Sequence, residues 1–524
     1  AQDRCCLPIS YIDPYGSETK VKYDDYLLYI KETEDALENK SIVHKFNYRT
    51  LSPQQMKDIN NNISEVITDE LGLVKVMALY GKGDEADNLI GHNEFITNDE
   101  EKALLNKFLN ESIPYKVLTA GKALLKNATA RFVYDFDAKP VVVASILREE
   151  HFVKKADSPV QISFEYSNGL RQVVMKKVQA EPGRAKKVTV NPDDTYTISD
   201  IDTSKLIPAQ LRWIGSGRTV LNNKGNPVKQ YEPYFSVTHK YEDLKELVEN
   251  GVTSILYYDA IGRLIKTDFP DGTFSKIEFN SWQQSFHDQN DTINKDSPWY
   301  DKRINHKIDK ELSDSWKDPE KEANAAEKAF KHAETPNVQH FDTLGRPILS
   351  IEHNKDIATD ESKYYETKVK LDIEGNLLCV KDARGNQVME YKYDMLGNKV
   401  FQKSMDAGKR WLLINVMGNP LRTWDQRDHE FQYFYDELHR PTLGRIKCAN
   451  SSLDNIFDRI VYGETELNPE ANNIRGKIVR HYDTGGLIET PKYDFKGSPE
   501  FTKRKLYKYY KTVANWVSDD ASSS

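Results

Sequence analysis

The sequence predicts a mainly β protein: an antiparallel sheet of short repeats, broken by two helical insertions. Three observations carry that expectation. A turn-forming unit returns along the chain at a near-constant spacing. The segments between its copies alternate apolar and polar residues with a period of two. Only two stretches show helical periodicity with recognisable caps.

The unit is an aromatic residue, Asp, two residues and Gly, often followed by Arg or Asn. It reads Tyr258-Asp259-Ala260-Ile261-Gly262-Arg263, then Phe341-Asp342-Thr343-Leu344-Gly345-Arg346. Leu371-Asp372-Ile373-Glu374-Gly375-Asn376 and Tyr393-Asp394-Met395-Leu396-Gly397-Asn398 follow. Tyr435-Asp436-Glu437-Leu438-His439-Arg440 lacks the glycine, and Tyr482-Asp483-Thr484-Gly485-Gly486 and Tyr493-Asp494-Phe495-Lys496-Gly497 close the series. Asp13-Pro14-Tyr15-Gly16 and Asp69-Glu70-Leu71-Gly72 are degenerate copies. Asp372 to Asp394 spans 22 residues, and Asp394 to Asn415 and Asn415 to Asp436 span 21 each. That length holds two strands and two turns. Asp bonds backbone amides two residues on and Gly supplies positive φ, so the unit is a hairpin turn. Met389, Tyr391 and Tyr393 share one strand face, and Phe431, Tyr433 and Tyr435 repeat the pattern. These Asp and Gly residues are therefore read as structural repeat turns, not as catalytic groups.

The two helical stretches carry their own punctuation. Thr97-Asn98-Asp99-Glu100 is a capping box ahead of Leu104, Leu105, Phe108 and Leu109 on one face. Asp318-Pro319-Glu320 offers an N-cap and Pro at the first turn; Lys328, Lys331 and His332 lie near the far end, and Pro336 stops the helix. Phe330 and Trp299-Tyr300 offer docking points for this second stretch.

Composition fits such a body. Of 524 residues, 38% are hydrophobic and 11% aromatic, with 29 Tyr outnumbering 20 Phe. Ordinary domains are roughly 45–50% apolar on a list without Tyr, so the chain is short of aliphatics and rich in amphipathic rings. Lys and Arg (73) nearly balance Asp and Glu (81) for a net charge of −8. No basic stripe appears, which argues against nucleic acid as the main partner. The longest apolar run, Pro140 to Leu147, is too short to span a bilayer. The opening Ala1-Gln2-Asp3-Arg4 lacks the charged and apolar regions of a signal peptide, and the missing initiator Met suggests a start inside a longer protein. Cys5, Cys6, Cys379 and Cys448 show no CxxC spacing and are read as small buried hydrophobes with free thiols.

The recurring unit resembles the YD repeat of Rhs proteins, and the order of further segments narrows the likeness. Asp3-Arg4-Cys5-Cys6-Leu7-Pro8, Arg49-Thr50-Leu51-Ser52-Pro53, Asp69 to Lys75, Gly81 to Asp87, Arg212 to Val220 and Gln230 to Phe235 resemble the middle region of bacterial insecticidal Tc toxin B subunits. Arg475-Gly476-Lys477 with His481-Tyr482-Asp483, and Tyr493 to Gly497, are similar to the family's Rhs part. The resemblance implies a curled antiparallel sheet of Rhs/YD repeats forming part of a hollow shell, in which B and C components enclose a toxic C-terminal segment. It implies as partners the remaining parts of the B subunit, a C-type Rhs component, and a pore-forming A component reached through a propeller. It also implies secretion as a bacterial toxin complex. No propeller repeats precede Ala1, and after Trp516 the chain runs into Ser518-Asp519-Asp520 without the family's self-cleaving core, so no autoproteolytic aspartate is carried over. The expected division is 1–95 as a degenerate-repeat β region, 96–130 as a helical insertion, 131–282 as a β region of the shell, 283–338 as a helical excursion, and 339–524 as the Rhs/YD sheet.

Signals for catalysis are weak. Asp84-Glu85-Ala86-Asp87 follows an apolar run, but no Gly-Lys pair (Lys82, Lys122, Lys409, Lys477) is followed by Ser or Thr, as a nucleotide loop requires. Gly215-Ser216-Gly217-Arg218-Thr219 reads as a turn rather than a phosphate nest. His429 and His439 sit within one repeat, HExxH and GxSxG are absent, and Asp288-Gln289-Asn290-Asp291 does not complete a calcium loop. The expectation is a structural protein with no enzyme activity, cofactor or metal: a shell segment that encloses and protects cargo. The alternative is an extracellular adhesion or carbohydrate-binding surface using Trp282, Trp299, Trp411 or Trp424; a β-scaffold hydrolase comes third.

Overall fold

The computed structural model describes residues 7–517, apart from 96–98, 171, 194, 208, 357, 358 and 360. Cys5-Cys6 with the segment before it, Thr97-Asn98 of the capping box, and Ser518-Asp519-Asp520 lie outside the described residues.

Alternating strands and tight turns give two large sheets and one two-stranded hairpin. The first sheet has 15 strands and runs in sequence order from Ser10–Ile12 to Val173–Ala180. Arg212–Gly215, Tyr234–Ser236, Arg184–Val190 and Tyr196–Asp202 follow in that spatial order. The second has 18 strands in sequence order from Ile255–Tyr258 to Lys503–Leu506, an uninterrupted antiparallel meander. Register follows the two-residue period: Met389 faces Ser404, and Tyr391 faces Gln402. The chain forms two compact units. Unit 1 comprises Ala1–Gly215, Phe235–Tyr241 and Leu413–Ser524; unit 2 comprises Ser216–Tyr234 and Glu242–Leu412.

Unit 1 holds most of the core. Helices α1 (Asp99–Asn110) and α2 (Pro114–Leu125) pair, and α2 packs over Ala130–Asp135, Val141–Arg148 and Val160–Ser167. Along the last strand Val160, Ile162, Phe164 and Tyr166 alternate into the core. Phe164 stacks on Phe108 with centroids 5.2 Å apart, and its ring lies 5.5 Å from Trp213 and 4.3 Å from His239. Burying each Phe contributes roughly 1.5–3 kcal/mol. Gly121 lets α2 approach: a Cβ there would lie 3.0 Å from the Ile162 Cδ1 and 3.2 Å from the Phe108 ring. A second cluster joins Tyr482, Leu487, Ala514 and Trp516, whose indole donates to the Asp483 carbonyl at 2.9 Å.

Unit 2 is thinly cored. Among its described residues from 337 to 412 none is buried; the strands there are half-buried or exposed along their length. Its helices are α3 (Lys245–Val248), α4 (Pro298–Ile304), α5 (Asp309–Asp314) and α6 (Pro319–Lys331). Asp318 caps α6 by accepting from the Glu320 and Lys321 amides, with Pro319 in its first turn. Arg303 to Glu322 at 3.0 Å and the Tyr300–Phe330 ring pair tie α4 to α6.

Two expectations are corrected. Among the described residues there are six helices, not two: Pro114 and Pro298 start helices of their own at the first turn, and Lys245–Val248 and Asp309–Asp314 are short helices with no side-chain cap to announce them. Neither large sheet is closed or strongly curled: each strand order ends at two separate edge strands. Period-two patterning specifies which neighbours pair and on which face; it carries no information about closure.

Candidate functional site: repeat turns and the seam they build

The repeat turns share one geometry. At Asp259 the carboxylate Oδ1 accepts from the amides of Ile261 (3.0 Å) and Arg263 (2.9 Å), and Oδ2 accepts from Arg263 Nε at 2.8 Å. Asp342 repeats this with Leu344 and Arg346. Asp372 and Asp394 substitute the side-chain amides of Asn376 and Asn398 for the guanidinium. Asp436 uses Leu438 and Arg440. Asp494 accepts from the Ser498 amide. The Arg346 amide and guanidinium hold the Asp342 carboxyl below the usual carboxylate value, and the Asn398 side chain and amide do the same for Asp394. Gly262, Gly345, Gly375, Gly397 and Gly497 all have positive φ at the fourth position; His439 takes that place at φ 58°. Asp483 differs. It pairs across to Gly486 in a tighter hairpin, where a Cβ would meet the Lys505 carbonyl, and Tyr482 packs on Trp516.

The tyrosine preceding each turn has a task of its own. Tyr258 OH donates to the Pro227 carbonyl at 2.8 Å, Tyr393 to Leu377 at 2.9 Å, Tyr435 to Pro420 at 2.7 Å and Tyr493 to Ile478 at 2.6 Å. For the first three the acceptor lies five residues past the Asx of the preceding turn on the same edge, namely Asn222, Asp372 and Asn415. The arginine reaches the other way. Arg263 stacks on Phe279 at 3.6 Å, Arg440 on Tyr462 at 3.9 Å, and Arg346 donates to the Asp372 and Ile373 carbonyls. The Asp259 and Asp436 turns are thus bonded backward through Tyr and forward through Arg; the Asp394 and Asp494 turns keep only the backward bond, the Asp342 turn only the forward one, and Phe341 and Leu371 lack the hydroxyl for the backward bond.

Sequence reasoning missed turns of the same build at Asp24, Asp58, Asp382 and Asp425. In three of them Leu27, Asn61 and Asp428 occupy the positive-φ position instead of Gly. The available signal was spacing: Asp13, Asp24, Asp35, Asn47, Asp58 and Asp69 fall 11 or 12 residues apart.

Within unit 1, one edge of N-terminal turns meets one edge of C-terminal turns. His439 Nε2 lies 2.5 Å from Asp13 Oδ2, and Tyr15 packs on the His439 ring. Burial raises the Asp13 carboxyl, but the hydrogen bonds from His439, Ser17 and Tyr15 outweigh it and leave the group below its ordinary value. Arg475 donates to Asn39 Oδ1 at 3.0 Å; Asn60 accepts from the Arg475 amide at 3.0 Å and donates to its carbonyl at 3.1 Å. Asn62 bonds Asn473 at 2.9 Å, Ile59 lies against Gly476, and His151 packs on Phe495. A cavity of about 360 Å³ lies along this seam, lined by Tyr15, Asn415, Tyr433, Tyr435 and His439 among others.

The residues weighed for chemistry are engaged structurally. Asp87 accepts from Thr129, His151 and the Phe152 amide. The Arg218 amide donates to Val248, and Gly217 sits where a Cβ would strike the Tyr231 carbonyl. His429 bonds Asp425 at 2.9 Å, and Asp288 accepts from the Asn290 and Asp291 amides. Trp299 lies under Arg303, while Trp282 and Trp411 are exposed. Cys379 and Cys448 are free thiols, half-buried rather than buried as expected. Among the described residues no three His, Cys, Asp or Glu side chains converge to hold a metal ion, and no helix is long and apolar enough to cross a membrane.

This arrangement of sheets is shared with solved toxin structures. A crystal structure of TcdB2-TccC3 matches with a TM-score of 0.73 and 21% identity over 96% of this chain and 23% of that chain. A Photorhabdus luminescens Tc holotoxin pore matches at 0.71 and 20% identity, again over 96% of this chain and 24% of that one. In sequence, toxin subunit YenC2 of Yersinia entomophaga is 27% identical over 215 residues, 36% of this chain and 22% of that protein. Toxin subunit YenC1 of the same organism is 22% identical over 121 residues, 23% of this chain and 12% of its own. No family model matches. The chain therefore has the fold of a part of TcdB2-TccC3 and spans about a quarter or less of the proteins it matches.

Proposed function

We propose that this chain is a non-catalytic wall segment of an Rhs/YD-repeat shell, resembling part of a Tc toxin B subunit, that encloses and protects a toxic C-terminal cargo for delivery. The fold likeness over 96% of the chain is the observation that carries the reading. The turns add a physical rationale. Strands locked by their own Asp carboxylates and stapled to neighbouring turns form extended sheet without a thick core, which is what a wall requires. The half-buried strands of unit 2 fit that use. On this reading the polypeptide belongs to a secreted bacterial toxin complex. Its partners are the remaining B-subunit segments, a C-type Rhs component carrying the toxic segment, and a pore-forming A component. The five-part division at 95, 130, 282 and 338 belongs to the same proposal.

The test is limited proteolysis of the full-length protein assembled with its cargo-bearing component. The cargo segment should resist protease while the shell is intact and become sensitive once the shell is cut. A cargo segment digested at the same rate in both states would sink the reading.

A further inference from the structure

The second row of repeat turns, in unit 2, presents a surface that the seam in unit 1 explains. Because the strands run as an antiparallel meander, every second turn falls on the same edge, about 10 Å from the next. Along one edge of unit 2 the turns begin at Asp259, Asn280, Asp342, Asp372 and Asp394. Their tips, one and two residues after the Asx, carry Ile261, Trp282, Leu344, Ile373, Met395 and Leu396, which are 57% to 99% exposed. The opposite edge carries Asp271, Arg384 and Asp406 beside Met405. Scattered exposed apolar residues are ordinary; a row at one structural position along one edge is not.

Those same tip positions make the seam in unit 1. Tyr15, two residues after Asp13, packs on His439, Ile59, one after Asp58, lies against Gly476, and Asn60, two after Asp58, bonds the Arg475 backbone. There a row of repeat turns is covered by the Asp436 repeat turn and by the 463–477 connection, both on one edge of the C-terminal strands.

The geometry points to a second seam: the tip row Ile261–Trp282–Leu344–Ile373–Met395–Leu396 docks the turn edge of another Asx-turn β-repeat sheet lying outside this chain. The occupant is identified by how this chain covers its other turn row, and the matched TcdB2-TccC3 chain, of which this chain accounts for 23%, shows that proteins of this fold have further chain to supply it. The inference deepens the shell reading and rests on it for the existence of that further sheet. Six apolar tips spread over five turns suit a long, shallow contact in which each tip sits on a facing turn.

Site-specific photo-crosslinkers at Leu344, Ile373 and Leu396, one at a time, in the full-length protein assembled with its cargo-bearing component provide the test, with Arg384 as the opposite-edge control. Mass spectrometry should map crosslinks to Asx-x-x-Gly turn segments of a repeat sheet outside residues 1–524, with Arg384 giving none. Crosslinks to a second copy of this chain, to a non-repeat segment, to nothing, or equally from Arg384 would overturn the inference. Replacing Ile261, Leu344, Ile373 and Leu396 together by Ser should lower those crosslink yields from Met395 at least about tenfold, with the far-ultraviolet spectrum unchanged; an unchanged yield counts against the seam. If crosslinks fail while the cargo stays protease-resistant, the second seam falls and the shell reading stands. A protease-sensitive cargo sinks the shell reading whatever the crosslinks show.

Discussion

His239 stands among Phe164, Trp213 and the α1 end, with its Nε2 3.0 Å from the Leu109 carbonyl and therefore donating. Burial pushes its imidazole down from 6.5 to about 4. His92, beside the Leu125 carbonyl, is pushed down to about 4 by the same cause. In both, the unfolded chain takes up the proton first as pH falls. Their contribution to stability is complete above 6.5, shrinks as pH drops below that value, and is gone below about 4. With about 1.36 kcal/mol per pH unit, each is worth roughly 3 kcal/mol across that window. Denaturant titrations at pH 7 and pH 4.5 should show the α1–α2 region losing stability, and His239→Gln should remove a large part of the difference. An unchanged difference would show that His239 is not the titrating group. Other single residues bear local strain instead. Leu27 and Glu38 adopt positive φ where Gly would be free, at roughly 1–2 kcal/mol each, whereas Asn61 and Asp428 are residue types that tolerate it. His439 adopts it too, but its bond to Asp13 offsets the strain.

A repeat turn is the smallest element with a full set of contacts, and its parts can be separated. Asp394→Ala removes acceptors for the Leu396 and Asn398 amides and the Asn398 side chain, and should cost about 2 kcal/mol locally. Asp394→Asn keeps the Oδ1 acceptor, as Asn415 does naturally, and should cost far less. Tyr393→Phe loses the single bond to Leu377 and should cost about 1 kcal/mol. Amide hydrogen exchange over 387–404 would rank the three; Asn behaving like Ala would refute the assigned role of Oδ1. The aromatic-Asp-x-x-Gly spelling was legible because Gly is nearly obligatory at a positive φ when nothing else pays for it. Leu27, Asn61 and Asp428 broke that spelling, so only the 11-residue spacing of Asx residues betrayed those turns. Likewise Asp318 announced α6 through its cap, whereas the helices opened by Pro114 and Pro298 carry no side-chain cap to announce them.

At the scale of the whole molecule, the seam was beyond sequence reading altogether. Asn60 and Arg475 stand 415 positions apart, Asn62 and Asn473 411, and no local pattern links residues at such separation. Unit 1 thus closes only after nearly the entire chain exists, which makes its N-terminal strands dependent on residues past 413. Asn60→Ala with Asn62→Ala removes three seam bonds from buried side chains and should cost roughly 2–4 kcal/mol. Exchange should quicken in 52–80 and 463–477 and stay unchanged in unit 2; uniform quickening would show that the seam is no separate element. The low aliphatic content also acquires a cause: from 337 to 412 no described residue is buried, so rings and long polar side chains cover the strands where a core would have demanded aliphatics. The meander carries one further consequence, a rule of parity. Every strand reverses direction, so adding or deleting a single 11-residue strand would exchange the two margins of all strands beyond it, turning seam-forming tips to the wrong side. Growth or loss within such a sheet is confined to even steps of about 22 residues. The long helical excursion between Gln283–His287 and Asn337–Phe341 obeys this rule: it stands in for one turn and returns the chain on the same count.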